Sequence, residues 1–572
     1  MLSSERERQM LQAQSLQQAG RLAEARHLYL QLLGDDPMDA LALHYLGMAD
    51  FQAGDASLGM GRVSRSIVLS PQQAAFYSNR GTISLTSGDP RGAQLDCARA
   101  LCLQADLIDA CINRARCLMR LRSSHLALSW ARRAVQLSPT NVDARLEFAN
   151  LVVETSESSG TFGQESLRGF HELISVSPGF AEGLAEFGRS LLRFHRADDA
   201  RQVLAWAFRV QQDHPAALSN AGMADLELGL REQALMSFTK GYLLNPSQTA
   251  VASNAALCLL LLGRYAEGWG LYESRLRTDS FWSSSEASRR FFESRPVFSG
   301  GLSSHGKRVL VWGEQGVGDE VMFGGLVGEF RGLCGEVLLQ VDRRLMGMFE
   351  RALPGVRVFE RGKAVPEELY DEQIPIGSLG KWLRPSRESF EGKGLRYLGA
   401  RPGLGERLRG ELGVLPGEKL IGLSWRSASP ETGAVRSLGL GELVGALGGV
   451  EGVRFVNLQY GDVRDELAGL RRERGVEVLS HGGVDNREDL EGLAGLIEGC
   501  DLVVSVGNAT AHLSGALGQK TWVLLPYVAG WRWLHEGSTC PWYQSVRLYR
   551  QSKRDDWTSV LSDLHAASKA VW

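Results

Sequence analysis

Small and apolar positions recur every 34 residues through the first half of the chain. One slot holds only glycine or alanine, a second slot seven residues later holds glycine in five repeats, and a third slot five residues beyond holds alanine in five repeats. The three sets are Gly47, Gly81, Ala115, Ala149, Gly188, Gly222 and Ala256; Gly20, Gly54, Gly88, Gly229 and Gly263; and Ala25, Ala93, Ala127, Ala200 and Ala234. Small side chains let two antiparallel helices approach closely, and glycine allows the turn between them, so the pattern predicts helix pairs.

Prolines keep the same phase and are placed to end the second helix of each pair. They are Pro37, Pro71, Pro139, Pro178 and Pro246, spaced by 34 or 68 residues except for one interval of 39. Proline cannot continue the helical hydrogen-bond ladder. The five extra residues in that one interval predict an insertion near residues 156–163.

This periodicity resembles the tetratricopeptide repeat (TPR), with about eight units, and we assign residues 1–275 to it. The resemblance implies an all-α superhelix with a groove for a protein or peptide. Asparagines recur on the predicted first helices and are candidates to hydrogen-bond a peptide backbone, or they are simply solvated. They are Asn79, Asn113, Asn150, Asn220 and Asn254.

The second half changes to short apolar runs separated by amphipathic helical stretches. The runs are 309–312, 337–341, 356–359, 420–425, 455–458, 476–479, 502–506 and 521–525. Strands that alternate with helices predict parallel sheets covered on both faces. A polar and aromatic stretch, 276–305, is interpreted as a linker, and a Gly/Pro/Arg-rich break near 396–417 divides the rest into units 306–400 and 415–572. The predicted fold class is α plus α/β, with a GT-B pair of Rossmann-like units whose ligands bind at the carboxyl ends of the strands.

The composition of the chain argues against several classes of function. The 572 residues are 44% hydrophobic and 23% charged, with a net charge of −3, so neither nucleic acid nor an anionic membrane is an expected partner. The start of the chain has no secretory pattern, and the longest apolar run, 255–262, is too short to span a bilayer. The eight cysteines include no C-x-x-C pair, which predicts reduced, buried thiols in a cytoplasmic protein. No metal-binding motif is present, so no metal or other cofactor is expected.

The first chemical motif is VLVWGEQGVGDEVMF at 309–323, a strand followed by a glycine-bearing turn and a helix. Gly316 and Gly318 would let the backbone approach a ligand. Asp319 is either a helix N-cap or a carboxylate that removes a proton from an acceptor hydroxyl, and Glu314 is a weaker candidate for that base.

The second motif is LVVSVGNATAHLSGALG at 502–518, in which a buried strand again leads into a helix. Asn508, Ala509 and Thr510 would place N–H groups and a hydroxyl at a helix N-terminus, which suits a diphosphate. His512, one turn later, would contact the same phosphate, although a histidine there can also be a packed core residue.

Three further strand-end segments add candidates. Ser424 and Arg426 would face a leaving phosphate, with Arg436 able to serve the same charge or to lie exposed. Gln459 and Tyr460 would face the base or ribose. The aromatic segments 531–533 and 541–543 would either pack in the core or close over the nucleotide.

At these motifs the chain resembles bacterial TPR-containing glycosyltransferases, whose catalytic half is similar to glycosyltransferase family 9, the ADP-heptose:lipopolysaccharide heptosyltransferases. The layout of array first and catalytic half second is also similar to protein O-GlcNAc transferase. The resemblance implies Asp319 as the base and Asn508, Thr510 and His512 as phosphate-binding residues. Gly507 departs from the family, which usually has an acidic residue at that position.

The leading hypothesis is an inverting, metal-independent glycosyltransferase with Asp319 and His512 as catalytic residues. It would move a sugar from a nucleotide-sugar donor to the hydroxyl of a protein held by the array, such as flagellin or another surface protein. The alternative is a non-catalytic TPR scaffold with a degenerate GT-B domain. The donor sugar and its base are not determined by these motifs.

Overall fold

The computed structural model describes residues 2–157, 164–282, 289, 292, 295–301, 306–429, 433–448 and 452–571. Most of the predicted insertion, 158–163, and much of the predicted linker lie outside the described residues. The chain forms two compact units, Met1–Asn220 and Ala221–Trp572. The first unit is helical throughout its described part, and the second contains the last helices of the array and two parallel sheets.

The predicted TPR array is confirmed, since the described residues up to 272 form eight consecutive helix pairs. The helices are α1 (Leu2–Gln18), α2 (Leu22–Asp35), α3 (Ala40–Gln52), α4 (Ala56–Leu69), α5 (Ala74–Thr86), α6 (Pro90–Leu103), α7 (Ile108–Arg120), α8 (Ser124–Leu137), α9 (Val142–Glu157), α10 (Gln164–Val176), α11 (Ala181–Arg193), α12 (Ala197–Val210), α13 (Pro215–Glu227), α14 (Arg231–Leu244), α15 (Thr249–Leu261) and α16 (Tyr265–Tyr272).

The periodic small residues act as the pattern predicts. A Cβ atom built on Gly47 would lie 2.8 Å from Val63 Cγ2 of the paired helix, so nothing larger fits without a shift. The five turn glycines have φ between +73° and +98°, and the five slot alanines are fully buried. Arg122 and His195 occupy the turn slot of two other repeats and also take positive φ, 60° and 57°. Tertiary packing of the helix pair therefore imposes a left-handed turn even where the sequence has no glycine.

Three of the five recurring asparagines form hydrogen bonds within the array. The Asn113 amide donates to Thr82 Oγ1 at 2.9 Å, and the Asn220 amide donates to the backbone carbonyl of Ala185 at 2.9 Å. Asn79 Nδ2 lies 3.0 Å from His44 Nε2. In each case the partner belongs to the preceding repeat, so these side chains join neighbouring repeats. The amide groups that were predicted to bind a peptide are therefore already hydrogen-bonded within the array.

Two parallel sheets follow the array. The first has the order β3-β2-β1-β4, and the second has the order β10-β9-β8-β5-β6-β7. The strands are β1 (Arg308–Trp312), β2 (Glu336–Val341), β3 (Arg357–Glu360), β4 (Glu372–Pro375), β5 (Lys419–Ser424), β6 (Val453–Asn457), β7 (Val478–Leu479), β8 (Leu502–Val506), β9 (Thr521–Leu525) and β10 (Val546–Arg550). All eight predicted runs contain a strand, while β4 and β10 were not predicted.

Helices and short 3₁₀ turns connect these strands. The α-helices are α17 (Asp279–Trp282), α18 (Val317–Gly324), α19 (Val327–Phe330), α20 (Met346–Ala352), α21 (Leu379–Leu383), α22 (Leu404–Glu411), α23 (Gly433–Arg436), α24 (Leu440–Leu447), α25 (Arg464–Arg474), α26 (Leu490–Glu498), α27 (Ala509–Ala516) and α28 (Thr558–Val571). Because β5, β8 and β9 are buried along almost their whole length, they contain apolar residues at consecutive positions instead of alternating ones.

The last array helix is part of the α/β core. Trp269 of α16 is 1% exposed, donates its indole N–H to the Arg384 carbonyl at 2.7 Å, and packs edge-on against Trp531 with ring centroids 5.6 Å apart. A Cβ on Gly380 would lie 2.6 Å from the Trp269 ring. These contacts place α16 against the elements that carry the candidate site. In the part of the chain that the structure describes, every helix is too short or too polar to cross a membrane.

Candidate functional site

Two helix N-termini meet at the carboxyl ends of the strands. Strand β1 leads through a glycine turn into α18, which carries Asp319, and β8 leads into α27, which carries His512. A Cβ on Gly318 would lie 3.2 Å from His512 Cδ2 and 3.5 Å from the Cα atom of Ala509. The structure therefore brings together the helices that carry the two predicted catalytic residues, because β1 of the first sheet and β8 of the second sheet each lead into one of these helices at the carboxyl end of the strand.

Asp319 does not cap its helix and instead forms an ion pair. Its Oδ1 accepts a hydrogen bond from Arg532 Nε at 2.5 Å, and Arg532 Nη2 also lies 2.5 Å from this oxygen. Burial by itself lowers the pKa of the Arg532 guanidinium, but the Asp319 carboxylate more than offsets this and raises that pKa above its usual value. Arg532 was considered in the sequence only as part of an aromatic segment. The sequence feature that could have pointed to Arg532 as a site residue is its position between two tryptophans, shortly after a buried strand.

His512 is buried and neutral. Its ring stacks on Trp533 with centroids 4.7 Å apart, and Nδ1 lies 3.0 Å from the Tyr543 hydroxyl. Burial, followed by the charges of Arg532 and Arg436, lowers the His512 pKa to about 3. The imidazole can therefore make hydrogen bonds, but in the ligand-free protein it does not contribute a positive charge.

Arg436, at the end of α23, supplies the second cation. Among the described residues its guanidinium has no hydrogen-bond or ion-pair partner. Burial, together with the like charge of Arg532, lowers the Arg436 pKa. Thr510, in the first turn of α27, is 1% exposed, and its buried hydroxyl has no partner among the described residues. The arrangement has two guanidiniums, one carboxylate and an uncompensated hydroxyl, which favours binding of an anion.

Three predicted ligand residues instead hold the strand ends together. Gln459 Oε1 accepts hydrogen bonds from the backbone N–H groups of Trp425 at 2.9 Å and Arg426 at 2.8 Å. Asn508 caps α27 and donates to Ser424 Oγ at 2.9 Å. This buried network fixes the ends of β5, β6 and β8 relative to one another.

The remaining predicted residues also have partners within the chain. Arg426 Nη1 lies 3.0 Å from the Glu466 carboxylate, and the Tyr460 hydroxyl accepts a hydrogen bond from the Ala428 N–H at 3.0 Å. Glu314 forms a buried ion pair with Arg275. Among the candidate cations, Arg426 is already neutralised, which leaves Arg436 for an anionic ligand.

At Gly507, where the resembling family usually has an acidic residue, neighbouring side chains leave no room for a side chain. A Cβ on this residue would lie 2.9 Å from the Trp533 indole nitrogen and 3.3 Å from Leu525 Cδ2. The tryptophan therefore occupies the position where an acidic side chain would begin.

We expect Gly507→Ala to lower the free energy of unfolding by about 1–3 kcal/mol, because the new methyl overpacks against a buried indole. Chemical denaturation measures the change. Gly469→Ala is the matched control, since that glycine lies within α25 and a Cβ there meets nothing within 4 Å. It should be neutral or stabilising. Equal effects of the two substitutions would contradict the packing argument.

Glu320, next to Asp319, is a fully buried carboxyl group. It lies 2.8 Å from Arg361 Nη1 and accepts the Asp342 N–H at 2.6 Å, yet burial raises its pKa to about 7 from 4.5. The folded protein therefore binds this proton more tightly than the unfolded chain, so the associated stability is full below pH 4.5 and is lost as the pH rises through 7.

We expect Glu320→Gln to remove this pH dependence. Between pH 5 and 7.5 the wild-type free energy of unfolding should fall relative to that of the variant by up to about 3 kcal/mol. Denaturation curves across that range test the expectation, with the partly exposed Glu336→Gln as control. Parallel pH profiles for Glu320→Gln and wild type would refute it.

Comparison with known proteins supports the array. A tetratricopeptide repeat family model matches residues 10–60. Over 563 residues the chain is 28% identical to Protein FlbA of Caulobacter vibrioides, and the match covers 95% of this chain and 87% of that protein.

Solved structures are also similar to the array. A tetratricopeptide repeat protein from Parabacteroides merdae is 16% identical, with a TM-score of 0.38, over 44% of this chain and 98% of that one. Yeast Tom70 is 18% identical, with a TM-score of 0.39, over 47% of this chain and 59% of its own. The family match and the helix pairs show that the chain contains TPR repeats, which are followed by two parallel sheets.

Proposed function

We propose that this protein is a GT-B glycosyltransferase that moves a sugar from a nucleotide sugar to a hydroxyl of a protein bound by the TPR array. The observation that carries the proposal is that Arg532 pairs with Asp319, and that the charges of Arg532 and Arg436 both act on His512 of α27. This arrangement provides cations for a leaving diphosphate and a carboxylate for the acceptor proton.

The proposed reaction is a single displacement with inversion. The acceptor hydroxyl oxygen attacks the anomeric carbon, and the bond from that carbon to the diphosphate oxygen breaks. The diphosphate leaves with the bonding electron pair, and Asp319 takes the hydroxyl proton. The two guanidiniums and the α27 amides stabilise the charge that develops on the leaving group, so the proposal needs no metal ion.

Other features accord with this proposal. All eight cysteines are free, and seven of them are buried, which suits a cytoplasmic protein. The array would present the acceptor, because stacked TPR units form extended binding surfaces.

A non-catalytic scaffold is the second candidate, and one observation favours it. Asp319 is neutralised by Arg532, and the neighbouring His512 ring is covered by Trp533. In that case the site would bind a nucleotide or only stabilise the fold.

Nucleotide binding tests the proposal. Purified protein is titrated by calorimetry with the UDP, GDP, ADP and CMP compounds and their sugar conjugates. We expect one nucleotide series to bind, and Arg436→Gln to weaken it about tenfold to a hundredfold, as for loss of a charge-assisted hydrogen bond. Arg472→Gln removes the same charge from an exposed position on α25 and should leave binding unchanged.

Transfer is then measured as a mass increment on proteins of a cell extract incubated with the bound donor. An increment that requires the donor supports the enzyme. Absence of both nucleotide binding and any mass increment would leave the scaffold as the better account.

A further inference from the structure

We propose that Arg532 is a positioning residue that holds Asp319 until the donor diphosphate binds and then transfers its guanidinium to that anion. The inference rests on the proposed function and adds a control step to it. Asp319 would become an available proton acceptor only in the donor complex.

The ligand-free geometry shows the holding contact. Both Nε and Nη2 of Arg532 lie 2.5 Å from Asp319 Oδ1, and Nη2 also lies 3.4 Å from Gln315 Oε1. The Arg532 N–H groups occupy Asp319 Oδ1, so this oxygen cannot at the same time receive the hydrogen bond of an acceptor hydroxyl. Asp319 in this state is held back from the chemistry proposed for it.

The surroundings favour exchange of partners. Arg436 has no acceptor among the described residues, so the cluster of Arg436, Arg532 and Asp319 carries one positive charge in excess. A diphosphate carries more negative charge than the Asp319 carboxylate and offers several oxygens, so it competes for Arg532 while also satisfying Arg436.

The backbone around Arg532 is anchored, while its side chain retains some freedom. The flanking residues Trp531 and Trp533 are 6% and 4% exposed and form one 3₁₀ turn. The Arg532 side chain is 23% exposed, and its guanidinium carbon lies 4.8 Å from the centre of the Trp531 ring. A guanidinium on a flexible stem above a fixed aromatic ring can change its anionic partner without movement of the fold.

Binding of inorganic pyrophosphate tests the exchange without requiring transfer activity. Calorimetry is performed on four proteins: wild type, Asp319→Asn, Arg532→Gln and the double variant. If Arg532 must leave Asp319, then Asp319→Asn should tighten binding about tenfold in the wild-type background. The same substitution should change affinity less than twofold when Arg532 is already glutamine.

The double comparison separates partner exchange from a general charge effect. Equal tightening by Asp319→Asn in both backgrounds, or no tightening in either, would overturn the role of Arg532 while leaving the anion site intact. Absence of pyrophosphate binding in all four proteins would overturn the proposed function, and the inference with it.

Two further variants serve as controls for the pyrophosphate experiment. Asp371→Asn removes a carboxylate that is 42% exposed and paired with Arg308, and it should leave pyrophosphate binding unchanged. Arg532→Lys keeps the charge if Arg532→Gln does not fold. It loses the second N–H contact, so tightening by Asp319→Asn should persist but be smaller than in wild type, and an unchanged or larger effect would count against the inference.

Discussion

Replacement of Glu314 by alanine should lower the free energy of unfolding of the second unit by about 3 kcal/mol. The Glu314 side chain is 1% exposed and that of Arg275 is 7% exposed. Glu314 accepts hydrogen bonds from Arg275 Nε at 3.1 Å and Nη2 at 2.8 Å, and from the Gly377 N–H at 2.8 Å. Removal of the carboxylate leaves a buried guanidinium whose remaining charged partner, among the residues that the structure describes, is Glu273.

Arg275 lies just after α16, and Glu314 lies just after β1, so the ion pair joins the end of the array to the first sheet. The Arg275 guanidinium also lies 4.2 Å from the centre of the Tyr272 ring and donates to Ser378 Oγ at 3.0 Å. Burial raises the pKa of Glu314. The pair therefore has a high desolvation cost, which becomes uncompensated when one partner is removed.

Tryptophan fluorescence during guanidinium denaturation measures this effect, because eleven of the thirteen tryptophans belong to the second unit. Glu314→Gln preserves most of the shape and should cost less than Glu314→Ala. Glu336→Ala breaks a half-exposed pair with Arg357 and should cost less than about 1 kcal/mol. A Glu314→Ala effect as small as that of Glu336→Ala would contradict the importance of the buried pair.

Asp319→Asn should lower the rate of sugar transfer by about a hundredfold to ten-thousandfold, because an amide cannot take the acceptor proton. Donor binding should be retained or improved, since the substitution also releases Arg532. The two results together distinguish a base from a binding residue.

Initial rates with saturating donor measure the loss, and the Asp371→Asn variant serves as the control for removal of an acidic group. A rate within threefold of wild type for Asp319→Asn would exclude this residue as the base. A parallel loss of donor affinity would instead assign it a role in binding.

The array could be predicted because its determinants are local and repeated. Gly47 and its equivalents recur at one helix crossing, so each repeat provides independent evidence for the same contact. Buried strands such as β8 were predicted from continuous apolar runs. The four-residue β4 begins with Glu372 and Gln373, and β10 contains charged residues, so neither contains such a run.

The candidate site could be predicted only in part. The rule that ligands bind at strand ends placed Asp319 near His512, and a Cβ on the intervening Gly318 would indeed contact the histidine ring. The hydrogen-bond and ion-pair partners of these residues could not be predicted from the sequence. Arg532 is 213 residues from Asp319 in sequence, and nothing near either residue indicates the ion pair.

By itself, the order of amino acids determined the helix pairs, eight of the ten strands and the two strand-end turns, because each depends on side-chain size and polarity within a few turns or one strand. Only the tertiary structure decided that Arg426 and Gln459 bond inward, that Arg532 neutralises Asp319, and that Arg436 has no described partner. Charge pairing and desolvation depend on which distant loops approach one another, and that is a property of the folded chain as a whole.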